Sequence, residues 1–355
     1  MSVLLHSVLP FLGIIVFLVV AHEFGHFIVA KLSGVRVLEF GVGFPPRVAA
    51  VKFGETEYSI NALPLGGFVR LFGEEDPEAP GGLASRPRPL RLLVLCAGVL
   101  MNMLLAVALF SASYMIPKEV PVGRALIDQV LPNSPAEAAG LQTGDVIYKI
   151  NNRDVQNVSD VSYDIRLYLG ETIHFEVKRG TEFLDLNAKA RWSPPSDQGP
   201  TGIVIASQYP FTETQSYNPW KAVRLGWRQT FDSLKVARNE VISWVKGAAS
   251  PQVAGPVGIV QATGEVVKQA GWESLVDFTA LLSINLAVIN ILPLPFLDGG
   301  RIMFVLIEIL RRGRRIAPQK EALVHFAGAV LLMTFVVVIS YFDIARLIRG
   351  ENIFR

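Results

Sequence analysis

A single cysteine, Cys96, stands among 355 residues, which excludes an intrachain disulfide; set in an apolar run, it reads as packing. Charge of one sign is not in excess. Lysine and arginine number 33 and aspartate and glutamate 31, leaving a net +2, so no basic footprint for nucleic acid is present. Charge is scarce altogether, at 18% of residues against 51% hydrophobic, with a mean hydropathy of +0.39. That balance excludes an ordinary soluble protein and places the chain in a membrane. No basic residue precedes the first apolar run, and no small-x-small cleavage site stands ahead of His22. The run is therefore expected to be retained rather than removed as a signal peptide.

Four runs are long enough to traverse a hydrocarbon core of about 30 Å as helices. They extend from about Leu4 to Leu32, Leu92 to Ile116, Phe278 to Leu297 and about Leu323 to Phe342. The short loop after the first carries Arg36, Arg47, Lys52, Arg70, Arg86, Arg88 and Arg91, and the loop before the last carries Arg311, Arg312, Arg314, Arg315 and Lys320. The positive-inside rule makes both loops cytoplasmic, with the termini and the long middle segment outside. A multi-pass protein of a cell membrane is the expectation.

Within the first run lies Ala21-His22-Glu23-Phe24-Gly25-His26. On a helix, residues four apart share a face, so both imidazoles can ligate one tetrahedral zinc while the glutamate between them reaches a water on that ion. An unpaired acidic residue at membrane depth costs on the order of 2.5 to 3.5 kcal/mol, and a metal removes the difficulty. In a soluble helix this pattern recurs by chance; inside a span chance is a poor account of it.

From Val35 to Leu71 the helical pattern gives way to short strands, with Arg47 to Phe53 and Thr56 to Ile60 flanking a Gly54-Glu55 turn. Leu63 to Phe68, containing Gly66 and Gly67, is either a surface meander or an exposed edge beside the active site onto which an extended peptide adds. Glu74 to Pro89 is an acidic, Pro/Gly-rich connector. In the second span, Gly98 permits close helix approach and Asn102 offers a hydrogen bond across the bundle.

The middle segment contains a strand, a short helix capped by Ser134 with Pro135 at its first position, a Gly140 stop, a Gly144-Asp145 turn and another strand ending near Val155. This string resembles the core of a PDZ domain, which implies binding of chain ends or extended peptides, with an amide pocket near Val122 to Leu126, or service as a steric gate. Trp192 to Pro200 reads as the linker leaving it. Asn218-Pro219 starts an amphipathic helix bearing Trp220, Val223, Trp227 and Phe231, expected at the membrane surface, with packing on the PDZ domain as the alternative. Gly255 to Ile259 reads as a turn into the third span.

The third span ends Asn285-Leu-Ala-Val-Ile-Asn290-Ile-Leu-Pro293-Leu-Pro295-Phe-Leu-Asp298-Gly299-Gly300-Arg301. Prolines two apart cannot continue a regular helix, and opened backbone at membrane depth is tolerated only where protein buries it or a cavity is lined by it. Asp298 supplies the third ligand, so that two histidines, one aspartate and a water complete a catalytic zinc sphere. Asn290 is placed to hydrogen-bond a substrate backbone or a developing oxyanion.

H-E-F-G-H in a first span, N-x-x-P-x-P-x-x-D-G-G in a third and a PDZ domain between resemble the site-2 protease family of intramembrane zinc metalloproteases, in its bacterial branch. Better-known members of the stress-response branch carry two tandem PDZ domains, and this chain has room for one. The resemblance implies His22, His26 and Asp298 as zinc ligands, Glu23 as catalytic acid/base, and Asn290, Gly66, Gly67, Pro293 and Pro295 as substrate-binding positions. It further implies a single-span transmembrane substrate, such as an anti-sigma factor or a signal-peptide remnant, first trimmed by a site-1 type protease. The expected fold is a multi-pass α-helical membrane protein of about four transmembrane helices, with a membrane-associated β-sheet and one extracytoplasmic α+β PDZ domain. Its segments are 1–34 (first span), 35–89 (β-region and connector), 90–117 (second span) and 118–205 (PDZ domain). There follow 206–272 (interfacial helix), 273–322 (third span, proline motif and basic loop) and 323–355 (fourth span and tail). A non-catalytic PDZ adaptor with a structural metal is the alternative; zinc transport would want several intramembrane ligand clusters, and one is seen.

Overall fold

In the computed structural model, residues 4–74, 76, 78–195, 197–250 and 254–349 are described. Residues 1–3 and 350–355 of the outermost segments, 75 and 77 of the connector and 196 of the expected linker lie outside the described residues. Along the first half run α1 (Leu9–Leu32), β1 (Val37–Phe53), β2 (Thr56–Leu71), α2 (Arg88–Met115), β3 (Lys118–Val130), α3 (Pro135–Ala138), β4 (Val146–Ile150), β5 (Arg153–Asp154) and α4 (Val158–Leu167). The second half holds β6 (Thr172–Arg179), β7 (Glu182–Lys189), β8 (Ile203–Gln215), α5 (Pro219–Val245), α6 (Pro256–Ala270), α7 (Ser274–Ile291), α8 (Asp298–Leu310) and α9 (Pro318–Ile348). The chain divides into two compact units, one of residues 1–113, 223–230 and 253–355, the other of 114–222 and 231–252.

Among the described residues, the first unit contains four helices long and apolar enough to cross a membrane: Leu4–Leu32, in which a π-helical turn leads into α1, and α2, α7 and α9. Leu18, His22, Gly25, His26 and Ala30 are the buried positions of α1; Leu18, His22, His26 and Ala30 fall four apart with Gly25 beside them, so one stripe of the helix faces protein. Gly25 lies on that stripe because α2 crosses there. A Cβ at Gly25 would stand 2.7 Å from Met101 Cβ and 2.9 Å from the Ala97 carbonyl carbon.

The opening expected at the two prolines is present, and two boundaries in this unit differ from expectation. The third apolar run extends to Leu297, but α7 stops at Ile291, because Pro293 and Pro295 have no N–H to donate and leave Leu292 extended. The helix resumes as α8 at Asp298. Gly255 to Ile259, read as a turn, opens a further helix: Gly255 is the N-cap of α6 and Pro256 its first residue, the position where proline's missing N–H costs nothing.

The β1–β2 hairpin turns at Gly54, whose φ of +63° suits glycine. Its register is unusual: Gly41 pairs with Ser59 on one side and Phe68 on the other, and Val42 likewise with Ile60 and Gly67. The first half of β1 is therefore central, and residues 67–71 form an outer strand with no further strand partner among the described residues.

In the second unit the strands run β7-β6-β4-β3-β8, with β5 paired to β4, over a core that includes Ile127, Ile147, Ile150, Val161, Ile173 and Phe175. Ser134 caps α3 by accepting the N–H of Glu137 at 3.1 Å, as its sequence position predicts. The sheet continues past the expected linker. Residues 192–200 connect β7 to β8, and β8 pairs with β3 from Ile203 to Gln215. Val122 to Leu126 accordingly lie on an inner strand, paired with β8 and, at Ala125 and Leu126, with β4, with Gly123 donating its N–H to Gln156 O at 2.9 Å, and the sheet edges fall at β7 and β8. Asn239, late in α5, donates to the carbonyls of Arg166 and Leu167 at 2.9 and 3.1 Å, and Arg153 bridges Asp164 and Asp232 at 2.8 and 2.6 Å. That half of α5 is a packed helix, while Trp220 and Trp227 remain exposed.

Candidate active site

The face of α1 that meets α2 presents His22 and His26, each less than a tenth exposed. Their ring centroids lie 4.9 Å apart and their planes at 76°. Gly98 makes this possible: a Cβ there would stand 2.6 Å from His22 Nε2 and would also collide with His26 Nε2. The close approach expected at Gly98 is thus to two imidazoles rather than to another helix backbone.

Asp298 arrives from 272 residues further along the chain. Its Oδ2 is 3.0 Å from His22 Nε2 and 3.2 Å from His26 Nε2, and the two nitrogens are 3.3 Å apart. Ligands held at about 2.0 to 2.1 Å around a tetrahedral ion stand about 3.3 Å from one another. Two imidazole nitrogens and one carboxylate oxygen therefore fit a zinc ion, and these three side chains are the ones that can share a metal among the described residues.

The ring nitrogens facing away are also engaged. His26 Nδ1 donates to Val94 O at 2.8 Å, which leaves the Nε2 lone pair aimed at the cluster. His22 Nδ1 lies 3.2 Å from Asn102 Nδ2, and Asn102 Oδ1 is buried without a hydrogen bond. Turning the amide over gives that oxygen the His22 N–H and frees His22 Nε2 in the same way. Ser283 Oγ donates to the Asn102 carbonyl at 2.8 Å, tying α7 to the same turn of α2.

Glu23 is half-buried beside this cluster, in the field of His26, His22, Asp298 and Arg301. Arg301, one turn after Asp298 on α8, is ion-paired with Glu74 at the start of the connector. Gly67 on the outer strand reaches Glu23 from the other side: a Cβ there would lie 3.5 Å from Glu23 Cγ and 3.7 Å from Val19 Cγ1. The meander alternative for this stretch does not describe it. Gly66 is buried beneath the Phe44 ring, where a Cβ would stand 2.7 Å from Cε2.

Pro293 is exposed and Pro295 half-buried in the opened segment between α7 and α8. Asn290, in the last turn of α7, is half-buried, and its amide makes no hydrogen bond among the described residues. Sequence reasoning passed over His325, whose Nδ1 accepts the Phe296 N–H at 2.8 Å, and Gly328, packed on Pro295. One histidine and one glycine in an apolar run give little local signal.

The chain is also similar to known proteins. Residues 10–335 match the model of peptidase family M50. The chain is 30% identical over 432 residues to the zinc metalloprotease RasP of Oceanobacillus iheyensis, covering 96% of this chain and 99% of that protein. It is 28% identical over 431 residues to the RasP of Shouchella clausii, covering 97% and 100%. The chloroplastic membrane metalloprotease ARASP of Arabidopsis thaliana is 31% identical over 350 residues, covering 92% of this chain and 76% of that one.

Proposed function

The chain belongs to peptidase family M50, and on that premise we propose that this multi-pass membrane zinc metalloendopeptidase of the site-2 type cleaves peptide bonds within transmembrane segments of single-span proteins. The observation that carries the reading is the meeting of Asp298 with both imidazoles, with Glu23 beside them and, next to Glu23, an outer strand whose far edge has no strand partner among the described residues.

His22, His26 and Asp298 would hold a zinc ion, which when bound would supply Lewis acidity toward a carbonyl and make a water nucleophilic near neutral pH. Glu23 takes a proton from the attacking water and returns it to the leaving amine. An extended substrate pairs with the outer strand near Gly66 and Gly67, which brings its backbone against Glu23. Asn290 donates to the substrate backbone or the oxyanion, and Pro293 and Pro295 shape the wall opposite. A peptide bond inside a helix is covered by its own hydrogen bonds, so substrate segments with weak helix formers are cut first.

By the positive-inside rule, the two basic loops support a site toward the cytoplasmic side and a middle segment outside a cell membrane. That unit serves as a single PDZ domain, excluding bulky outer domains or binding ends exposed by an earlier cut. The substrate is then a trimmed transmembrane remnant, an anti-sigma factor or signal peptide being the type, and the earlier cut that of a site-1 type protease. An adaptor with a structural metal gives no use to a carboxylate beside the ligands. The test is cleavage of a membrane-inserted single-span peptide by the unaltered chain and by Glu23→Gln. Loss of cleavage with zinc retained is expected, and equal cleavage removes Glu23 from the mechanism.

A further inference from the structure

The segment that delivers Asp298 has little hydrogen bonding of its own. Between Leu292 and Leu297 the backbone is neither helix nor strand, closed by Leu294 N–H to Leu292 O at 2.6 Å and Leu297 N–H to Leu294 O at 3.3 Å. Phe296 has a φ of +80°, a left-handed conformation costly for a bulky side chain that persists only where surroundings enforce it. The enforcing contact comes from α9. His325 Nδ1 accepts the Phe296 N–H at 2.8 Å, and the same ring packs on Phe304 of α8 with centroids 5.3 Å apart. One turn on, Gly328 meets the residue before Phe296: a Cβ there would stand 2.8 Å from Pro295 O and 2.9 Å from its carbonyl carbon. Two independent contacts, three residues apart on one helix face, therefore bracket the backbone immediately before Asp298.

We propose that His325 and Gly328 clamp this segment and so fix where the Asp298 carboxylate stands relative to His22 and His26. Both are positioning residues, acting on the site through backbone rather than by touching substrate or metal. The inference rests on the reading of Asp298 as a ligand. A hydrogen-bond acceptor is required at position 325; asparagine supplies one through Oδ1 where histidine uses Nδ1, and leucine fills similar space without it. At position 328 any side chain forces the Pro295 carbonyl to move.

The experiment uses the full chain in lipid nanodiscs, as unaltered protein and as His325→Leu, His325→Asn, Gly328→Ala and Asp298→Ala. With metal stripped, amide hydrogen exchange over residues 294–298 reads the clamp itself. Protection is expected in the unaltered chain and in His325→Asn and lost in His325→Leu; equal exchange in all three overturns the clamp. Zinc titration against a chromogenic chelator then reads the consequence. Affinity is expected to fall about 10- to 100-fold in His325→Leu and Gly328→Ala, as for other groups that orient ligands, and to recover in His325→Asn. Unchanged affinity in His325→Leu, or an equal fall in His325→Asn, overturns the proposal. Should Asp298→Ala bind zinc as tightly as the unaltered chain while the exchange pattern holds, the ligand assignment fails and the clamp stands as a backbone device only.

Discussion

Asp343, near the end of α9, accepts the backbone N–H of Gly258 in the first turn of α6 at 2.8 Å, across 85 residues. A carboxylate at a helix N-terminus satisfies an orphan donor and meets the positive end of the helix dipole. The same side chain, 2% exposed, is paired with Arg346 at 2.8 Å. Gly255 permits this, since a Cβ there would stand 2.8 Å from Asp343 Oδ2. Replacing Asp343 by alanine leaves the donor buried and unpaired, at a cost of about 1 to 3 kcal/mol. The expected outcome is a lower melting temperature with faster hydrogen exchange confined to residues 255–262. Asp343→Asn, which keeps an acceptor, recovers part of the loss.

Glu308 of α8 gathers three arginines: Arg91 at 2.6 Å, Arg88 at 3.1 Å and Arg315 at 3.3 Å. Burial works to raise its pKa, but hydrogen bonds from Arg91 and Arg88 outweigh it, and the carboxyl is held below its ordinary value. A group whose folded pKa is depressed contributes stability that is fully present above the unfolded pKa, about 4.3 for glutamate, and lost as pH falls through the folded value. Melting temperature should therefore drop as pH is lowered from about 5 toward 3. In Glu308→Gln the acid-side slope should be shallower and stability at pH 7 lower; parallel curves would remove Glu308 from acid sensitivity.

Asn102 bears on metal retention. Second neighbours that fix a ligating imidazole commonly carry about 10- to 100-fold in metal affinity. Asn102→Leu should lose zinc to a chelator at about that much lower competitor concentration, and Asn102→Asp, which keeps an acceptor for the His22 N–H, should not. Zinc at 100 times its dissociation constant stabilises the folded chain by about 2.7 kcal/mol, so chelation should lower the melting temperature of the unaltered protein. That shift should vanish in His22→Ala and Asp298→Ala. Identical chelator midpoints for Asn102→Leu and the unaltered chain would assign Asn102 to packing alone.

What the sequence made legible was local chemistry with strong constraints. Two histidines and an acid within one apolar helix, prolines two apart at its distant partner, and a Ser-Pro helix start each admit few backbone solutions. Relations between segments were less accessible. Gly255-Pro256 reads as a turn because glycine and proline punctuate both turns and helix starts, and what favours the helix is tertiary: burial of Gly258, Ala262, Thr263 and Val267 and the Asp343 carboxylate that accepts the Gly258 N–H. The end of the sheet unit was misjudged at Trp192 to Pro200 because proline and serine suggest an exit, whereas β8 is recruited by pairing with β3. Glycines 67 and 98 announce close approach without saying what approaches, and Gly328 gives no such signal.

The substrate side of the site is tested at Gly67. Its Cβ position lies 3.0 Å from Gly41 O, 3.5 Å from Glu23 Cγ and 3.7 Å from Val19 Cγ1, so alanine is tight and valine projects methyls toward the carboxylate. The atoms nearest this Cβ position do not include His22 Nε2, His26 Nε2 or Asp298 Oδ2, and zinc affinity should stay within about twofold, a change worth under 0.5 kcal/mol. A peptide laid on the outer strand, however, needs the space over Glu23 that the branched side chain takes. Gly67→Val should lower cleavage of a single-span substrate by at least tenfold, about 1.4 kcal/mol in transition-state stabilisation, with Gly67→Ala between. Hydrolysis unchanged in Gly67→Val would mean that substrate reaches Glu23 from another direction, and the outer strand would then be a structural edge alone.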